Sequence, residues 1–98
     1  MASILDLIGG TPLIEVTRIG RGPCRLFLKL ESANPSGSIK DRPACAMVEA
    51  AETDGQLKPG GTIVEATAGN TGLGLALVGG RKGYRTVLVV PDKMAREK

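Results

Sequence analysis

The chain has 98 residues and a mass of 10.1 kDa, room for one domain, and its apolar (42%) and charged (23%) fractions are ordinary for a globular protein. It has no histidine, so no Ser-His-Asp triad, Cys-His dyad or imidazole metal site can be assembled from it. The net charge is +3, but the 13 basic residues are scattered and Phe27 and Tyr84 are the only aromatics, which argues against nucleic-acid binding through a basic run or a stacking platform.

Glycine accounts for 14 residues, about twice its usual share of roughly 7%. Cys24 and Cys45 lack CxxC spacing and are expected to be buried or neutral thiols, as suits a reducing cytoplasm; no metal site is expected. The first residues contain Asp6 and Glu15, with no basic start, so no signal peptide is expected. No apolar stretch approaches the roughly 18 residues of a membrane span.

Ile4, Leu5, Leu7 and Ile8 form an apolar cluster, read as one helical turn or an irregular plug, which Gly9-Gly10 and Thr11-Pro12 end. Leu13 to Val16 is a candidate strand, and Gly20 to Pro23 is a loop. Arg25 to Leu30 alternates, placing Leu26, Leu28 and Leu30 on one face of a strand. Ser32 to Ser38 is turn chemistry throughout. A helix is expected to start near Lys40 and Asp41, with Pro43 early and Ala44, Met47, Val48 and Ala51 as its apolar stripe; Asp54-Gly55 ends it.

From Thr62 onward the pattern is strand, helix, strand. Thr62 to Ala66 is strand-like, Thr71 to Lys82 helical with Gly83 as its cap, and Thr86 to Val90 a β-branched run expected to be buried on both faces. The length suits a βαβ unit of about 30 residues, and the fold class is α/β with a parallel sheet and flanking helices.

The turn between that strand and helix reads Thr67-Ala68-Gly69-Asn70-Thr71-Gly72-Leu73-Gly74. Its glycines admit close approach, and the helix start supplies unpaired N–H groups and a positive dipole end, so an anion such as a carboxylate or phosphate fits here. The alternative is a packed turn whose glycines serve close approach alone. The spacing is GxxGxG rather than the dinucleotide GxGxxG, although Asp92 stands where a ribose-binding acid would, and no P-loop occurs. Lys40 is the second candidate. A helix N-terminus is electrostatically unfavourable for a cation and favours a neutral amine, the form Schiff-base chemistry uses; the alternative is a solvated loop lysine.

Two segments taken together, NPSGSIKDR (Asn34 to Arg42) and EATAGNTGLGLAL (Glu65 to Leu77), resemble the cystathionine β-synthase and cysteine synthase family, pyridoxal-phosphate enzymes of the tryptophan synthase β-like fold. LIGGTPL (Leu7 to Leu13), LFLKLE (Leu26 to Glu31), KPGGTIVE (Lys58 to Glu65) and KGYR (Lys82 to Arg85) extend the resemblance over almost the whole chain.

The resemblance implies pyridoxal 5′-phosphate as cofactor, with Lys40 as the lysine that forms the internal aldimine and Asn70 as the partner of the pyridine 3′-oxygen. It implies that Thr67, Ala68, Gly69, Asn70 and Thr71 grip the substrate carboxylate; the family usually has serine where this chain has Ala68, so one hydroxyl donor is missing. The implied reaction is β-replacement on serine or an O-activated serine by a thiol or sulfide. The ending PDKMAREK (Pro91 to Lys98) is closer to the cystathionine β-synthase pattern than to that of cysteine synthases.

On the same resemblance, residues 1–34 would join the larger domain and 35–98 would begin the smaller, substrate-loop domain of a cytoplasmic homodimer. The loop for the cofactor phosphate would lie beyond residue 98. The chain is therefore expected to be an N-terminal piece of the enzyme, inactive alone. A non-catalytic short protein and a nucleotide-binding α/β module are the alternatives.

Overall fold

The computed structural model describes residues 3–18, 22–67 and 69–92. The chain opens with a 3-10 turn, Ile4–Leu7, whose start is tied by Ser3: its hydroxyl accepts from the Leu5 N–H at 3.2 Å, and its own N–H donates to Asp6 Oδ2 at 2.8 Å. Strands β1 (Leu13–Val16) and β2 (Leu26–Lys29) pair antiparallel, with Leu13 opposite Lys29 and Val16 opposite Leu26. Arg25 bridges this pair, holding Glu15 at 2.9 Å with its guanidinium 5.0 Å from the Phe27 ring centre. A second 3-10 turn, Glu31–Ala33, leads into the loop before helix α1 (Asp41–Thr53).

Strand β3 (Thr62–Ala66), helix α2 (Asn70–Lys82) and strand β4 (Arg85–Val89) form the expected βαβ unit. The two strands are parallel, with Thr62 opposite Arg85 and Ala66 opposite Val89. Gly83 ends α2 in the left-handed region (φ 85°), which a side chain would resist. Gly79 lets α2 lie directly on the sheet: a Cβ there would stand 2.5 Å from Thr86 Oγ1 and 3.1 Å from Ile63 Cδ1.

The core is the seam between the helices, Ala44 and Val48 of α1 against Leu75 and Val78 of α2, with Leu5, Ile8, Leu57, Ile63 and Tyr84 around it. Val48 follows Ala44 by four residues and Val78 follows Leu75 by three, the spacing that stacks side chains on one helix face. Met47, expected on the buried stripe, is half-exposed: it lies at the edge of the seam and lines an open cleft of about 370 Å³ between α1 and β3. Beyond the seam, Glu52 of α1 accepts from Lys82 at 3.0 Å and from the Tyr84 hydroxyl at 2.5 Å, joining the far ends of the two helices.

β4 is not buried on both faces. Ile63, Glu65, Thr86 and Leu88 turn toward α2, whereas Val64 (63% exposed), Val87 and Val89 (56% exposed) form a bare apolar face. The physical reason is that the helices pack on one side of the sheet only. The leucine face of β2 is uncovered as well, with Leu26 and Leu28 both exposed. A compact chain of this mass exposes about 5,300 Å²; this one exposes 6962 Å². Cys24 is exposed rather than buried, while Cys45 is half-buried, and burial together with the Glu49 carboxylate pushes its thiol up to about 11, so it stays neutral.

Thr86 Oγ1 is buried and has no hydrogen-bond partner among the described residues. An orphaned hydroxyl of this kind costs about 1–3 kcal/mol, and valine has nearly the same shape and suits a strand. Thr86→Val is therefore expected to raise stability by about 1 kcal/mol, read as a higher denaturant midpoint with an unchanged slope; a lower midpoint would show that the hydroxyl is satisfied.

Candidate active site

The site begins with two helix N-termini brought to one place. Gly74, one turn into α2, faces the start of α1 so closely that a Cβ would stand 2.9 Å from the Lys40 carbonyl oxygen and 3.1 Å from Ala44 Cβ. Lys40 is the N-cap residue of α1, its N–H held by Ser38 Oγ at 3.1 Å, and its side chain is exposed. Asn70 precedes Gly74 by four residues, so it lies on the same face of α2, one turn nearer the helix start. Gly74 is thus the contact that brings the start of α1 against the first turns of α2, and the side chains of Lys40 and Asn70 are both exposed.

The turn into α2 is organised by Thr67. Its hydroxyl oxygen accepts from the Gly72 N–H at 3.1 Å and the Gly69 N–H at 3.4 Å, and so acts as the cap that Gly69, the formal N-cap, cannot provide. Among the described residues, the N–H groups of Asn70 and Thr71 meet no acceptor. Two free amide donors at the positive end of a helix are what a carboxylate or phosphate requires. Ala68 lies outside the described residues, as do residues 93–98 of the PDKMAREK segment. A shallow, largely apolar recess formed by Ala66, Thr67, Val89, Val90 and Pro91 adjoins the turn at the carboxyl ends of β3 and β4, where open parallel sheets bind ligands.

The sequence did not announce a third group, which holds α1 from its other side. Glu31 accepts from Arg42 Nε at 2.5 Å and Nη2 at 2.9 Å, from the Thr11 hydroxyl at 2.6 Å and from Asn34 Nδ2 at 3.0 Å. Arg42 Nη2 also donates to the Gly9 carbonyl at 3.1 Å, and buried Asn34 accepts the Gly9 N–H at 2.8 Å. Next to it, fully buried Asp41 accepts the Ser36 N–H at 2.8 Å and the Ser36 hydroxyl. The only signal for this cluster was the placing of Arg42 two residues after Lys40 and of Glu31 at the end of a strand.

Arg42 first, and Thr11 second, hold the Glu31 carboxyl at about 2, well below the usual carboxylate range. A carboxyl depressed on folding contributes stability that is complete above the pH at which the unfolded glutamate titrates and is lost as pH falls through about 2. Between about pH 4.5 and 2 the unmodified chain is expected to lose thermal stability more steeply than Glu31→Gln, which has no carboxyl to protonate. Parallel curves for the two would remove the ion pair from this account.

The chain thus joins a parallel βαβ unit to a helix that starts with an exposed lysine, and the turn into the second helix presents backbone amides toward solvent. Residues 4–98 match the family described as pyridoxal-phosphate dependent enzyme, and the chain belongs to that family. It is 48% identical to cysteine synthase B of Pseudomonas syringae pv. syringae over 97 residues, covering 98% of this chain and 57% of that protein. Cystathionine beta-synthase of Saccharomyces cerevisiae is also 48% identical, over 100 residues, covering 98% of this chain and 20% of the relative. The crystal structure of O-ureido-L-serine synthase superposes with a TM-score of 0.91 at 47% identity, over 99% of this chain and 31% of that one. The chain thus spans about a fifth to somewhat over half the length of these proteins, and its fold is an incomplete piece of theirs. Family membership sets aside the nucleotide-binding module.

The residues present fit pyridoxal phosphate. Its aldehyde requires an accessible primary amine, which Lys40 offers, and its ring oxygen requires an amide donor, which Asn70 offers on the adjoining turn. The N–H groups of Asn70 and Thr71, unpaired among the described residues, suit an anionic group, either a substrate carboxylate or a phosphate.

Proposed function

We propose that these residues supply the reactive lysine and the substrate turn of a pyridoxal-phosphate enzyme that replaces the β-substituent of serine, or of an O-activated serine, with a thiol or sulfide. The observation that carries this reading is the Gly74 contact, which brings Lys40 and the α2 start together in a chain of this family.

Lys40 would hold the cofactor and, once the substrate amine has displaced it, take the Cα proton on Nζ. Asn70 would orient the cofactor ring through its amide, and Thr67, Ala68, Gly69, Asn70 and Thr71 would hold the substrate carboxylate, with Thr67 keeping the turn in shape. The cofactor, when bound, supplies the electron sink. With Ala68 lacking a hydroxyl, the grip falls on the backbone N–H groups of Asn70 and Thr71.

The division at residue 34 is supported by the sheets: the antiparallel pair lies wholly before it and the parallel pair wholly after. The homodimer, the cytoplasmic setting and the cofactor-phosphate loop beyond residue 98 belong to the same reading. Among the described residues no helix is long and apolar enough to cross a membrane.

Cysteine synthase and cystathionine beta-synthase relatives stand level at 48% identity, so the substrate pair must be assayed. The full-length enzyme that this reading implies, of which residues 1–98 are the N-terminal part, is loaded with pyridoxal phosphate and given serine with a thiol in one assay and O-acylated serine with sulfide in the other. Product from the first pair alone fits the cystathionine β-synthase pattern of residues 91–98, and product from the second alone fits cysteine synthase. Product from neither overturns the reading.

A further inference from the structure

The start of α1 is gripped on both sides, and the two grips differ in chemistry. On one side the Lys40 carbonyl rests against Gly74, a contact of shape alone. On the other, Arg42 spans Glu31 and the Gly9 carbonyl with a guanidinium fork, and Glu31 is itself fixed by Thr11 and Asn34. These partners come from segments far apart in the chain: the turn after the first 3-10 element, the turn after β2, and α1.

We propose that Arg42 and Glu31 are positioning residues for Lys40: the bidentate pair fixes the rotation and height of the first turn of α1, and hence where the lysine side chain emerges. Three observations support this. Arg42 lies two residues beyond Lys40, so no flexible segment intervenes between the fork and the lysine backbone. A fork on a carboxylate constrains direction as well as distance, which a single lysine contact does not. The cluster also bridges residues on either side of position 34, so it sets the lysine relative to both sheets.

The inference rests on the reading of Lys40 as the cofactor lysine, and the test separates the two. The full-length enzyme of the proposed function is loaded with pyridoxal phosphate, treated with borohydride, and the rate at which Lys40 acquires the reduced cofactor is measured per folded, cofactor-containing molecule. No label on Lys40 in the unmodified chain overturns the cofactor-lysine reading and this inference with it. If the unmodified chain is labelled, Arg42→Gln is expected to slow labelling and to lower kcat by about a hundredfold, the effect of an ångström-scale misplacement, with KM little changed. Arg42→Lys, which keeps the charge but not the fork, should recover only part of this. Glu31→Gln and Thr11→Val each weaken the cluster more gently, should slow labelling to a lesser degree, and carry the test if Arg42→Gln does not fold. Labelling and kcat at the unmodified level in the folded variants would reduce the cluster to a structural tie and overturn the inference.

Discussion

In the full-length enzyme of the proposed function, Lys40→Ala is expected to leave the fold intact and to abolish turnover. The side chain is exposed at the N-cap of α1 and makes no contact in the helix seam, so its loss should shift the melting temperature by no more than an ordinary surface substitution, within about 0.5 kcal/mol. Turnover should fall by at least a factor of about a thousand, because in the proposed function the same amine would hold the cofactor and move the Cα proton. Circular dichroism and an activity assay on the same preparation check both halves. Substantial turnover in Lys40→Ala would transfer the chemistry to another lysine.

Gly74→Ala should do nearly as much damage from a residue with no functional group. The added methyl would lie 2.9 Å from the Lys40 carbonyl oxygen and 3.1 Å from Ala44 Cβ, and the first of these is backbone, which cannot rotate away. Overpacking costs about 1–3 kcal/mol, while alanine returns about 1 kcal/mol of helix propensity. The net loss of stability is therefore small, about 1 kcal/mol. The functional loss is larger, since α1 relieves the clash by carrying Lys40 away from Asn70, and a displacement near 1 Å costs about a hundredfold in rate. A variant with reduced stability but full kcat would show that the two helix starts need not touch. Gly79→Ala is the control: it overpacks the sheet side, against Thr86 and Ile63, without moving α1 directly.

How much of this could be read from the sequence depends on the range of the forces involved. The βαβ unit was legible because its signals are local. Thr62–Ala66 matches the expected strand, α2 begins at Asn70 rather than Thr71, and β4 runs from Arg85 to Val89, one residue ahead of expectation. The helix stripe was legible in Ala44 and Val48, but Met47 needed a neighbour to cover it, and α2 passes to one side. The β-branched run at β4 suggested burial on both faces; a run of apolar residues records what a strand can tolerate, not how many layers pack on it.

Within the site, Lys40, Asn70 and the turn between Thr67 and Thr71 were legible through charge placement, glycine spacing and family resemblance. The capping role of the Thr67 hydroxyl was not, because Ser and Thr side chains look alike as ligand donors and as helix caps until the N–H positions are fixed. The pairing of Arg42 with Glu31 and Gly9 was not legible for a different reason. Arg42 reaches Gly9, 33 positions back along the chain, and no local period encodes such a bond. Gly74 was one of several glycines in its segment, and only the approach of α1 separates it from the rest.

Peptide mapping tests most directly whether Lys40 carries the cofactor, as the proposed function requires. The full-length enzyme is incubated with pyridoxal phosphate, reduced with borohydride and digested with trypsin. The reduced cofactor is expected on Lys40 Nζ, where it blocks cleavage at the Lys40–Asp41 bond, with Lys29, Lys58 and Lys82 unlabelled. A reduced cofactor on any other lysine, with Lys40–Asp41 still cleaved, would contradict it.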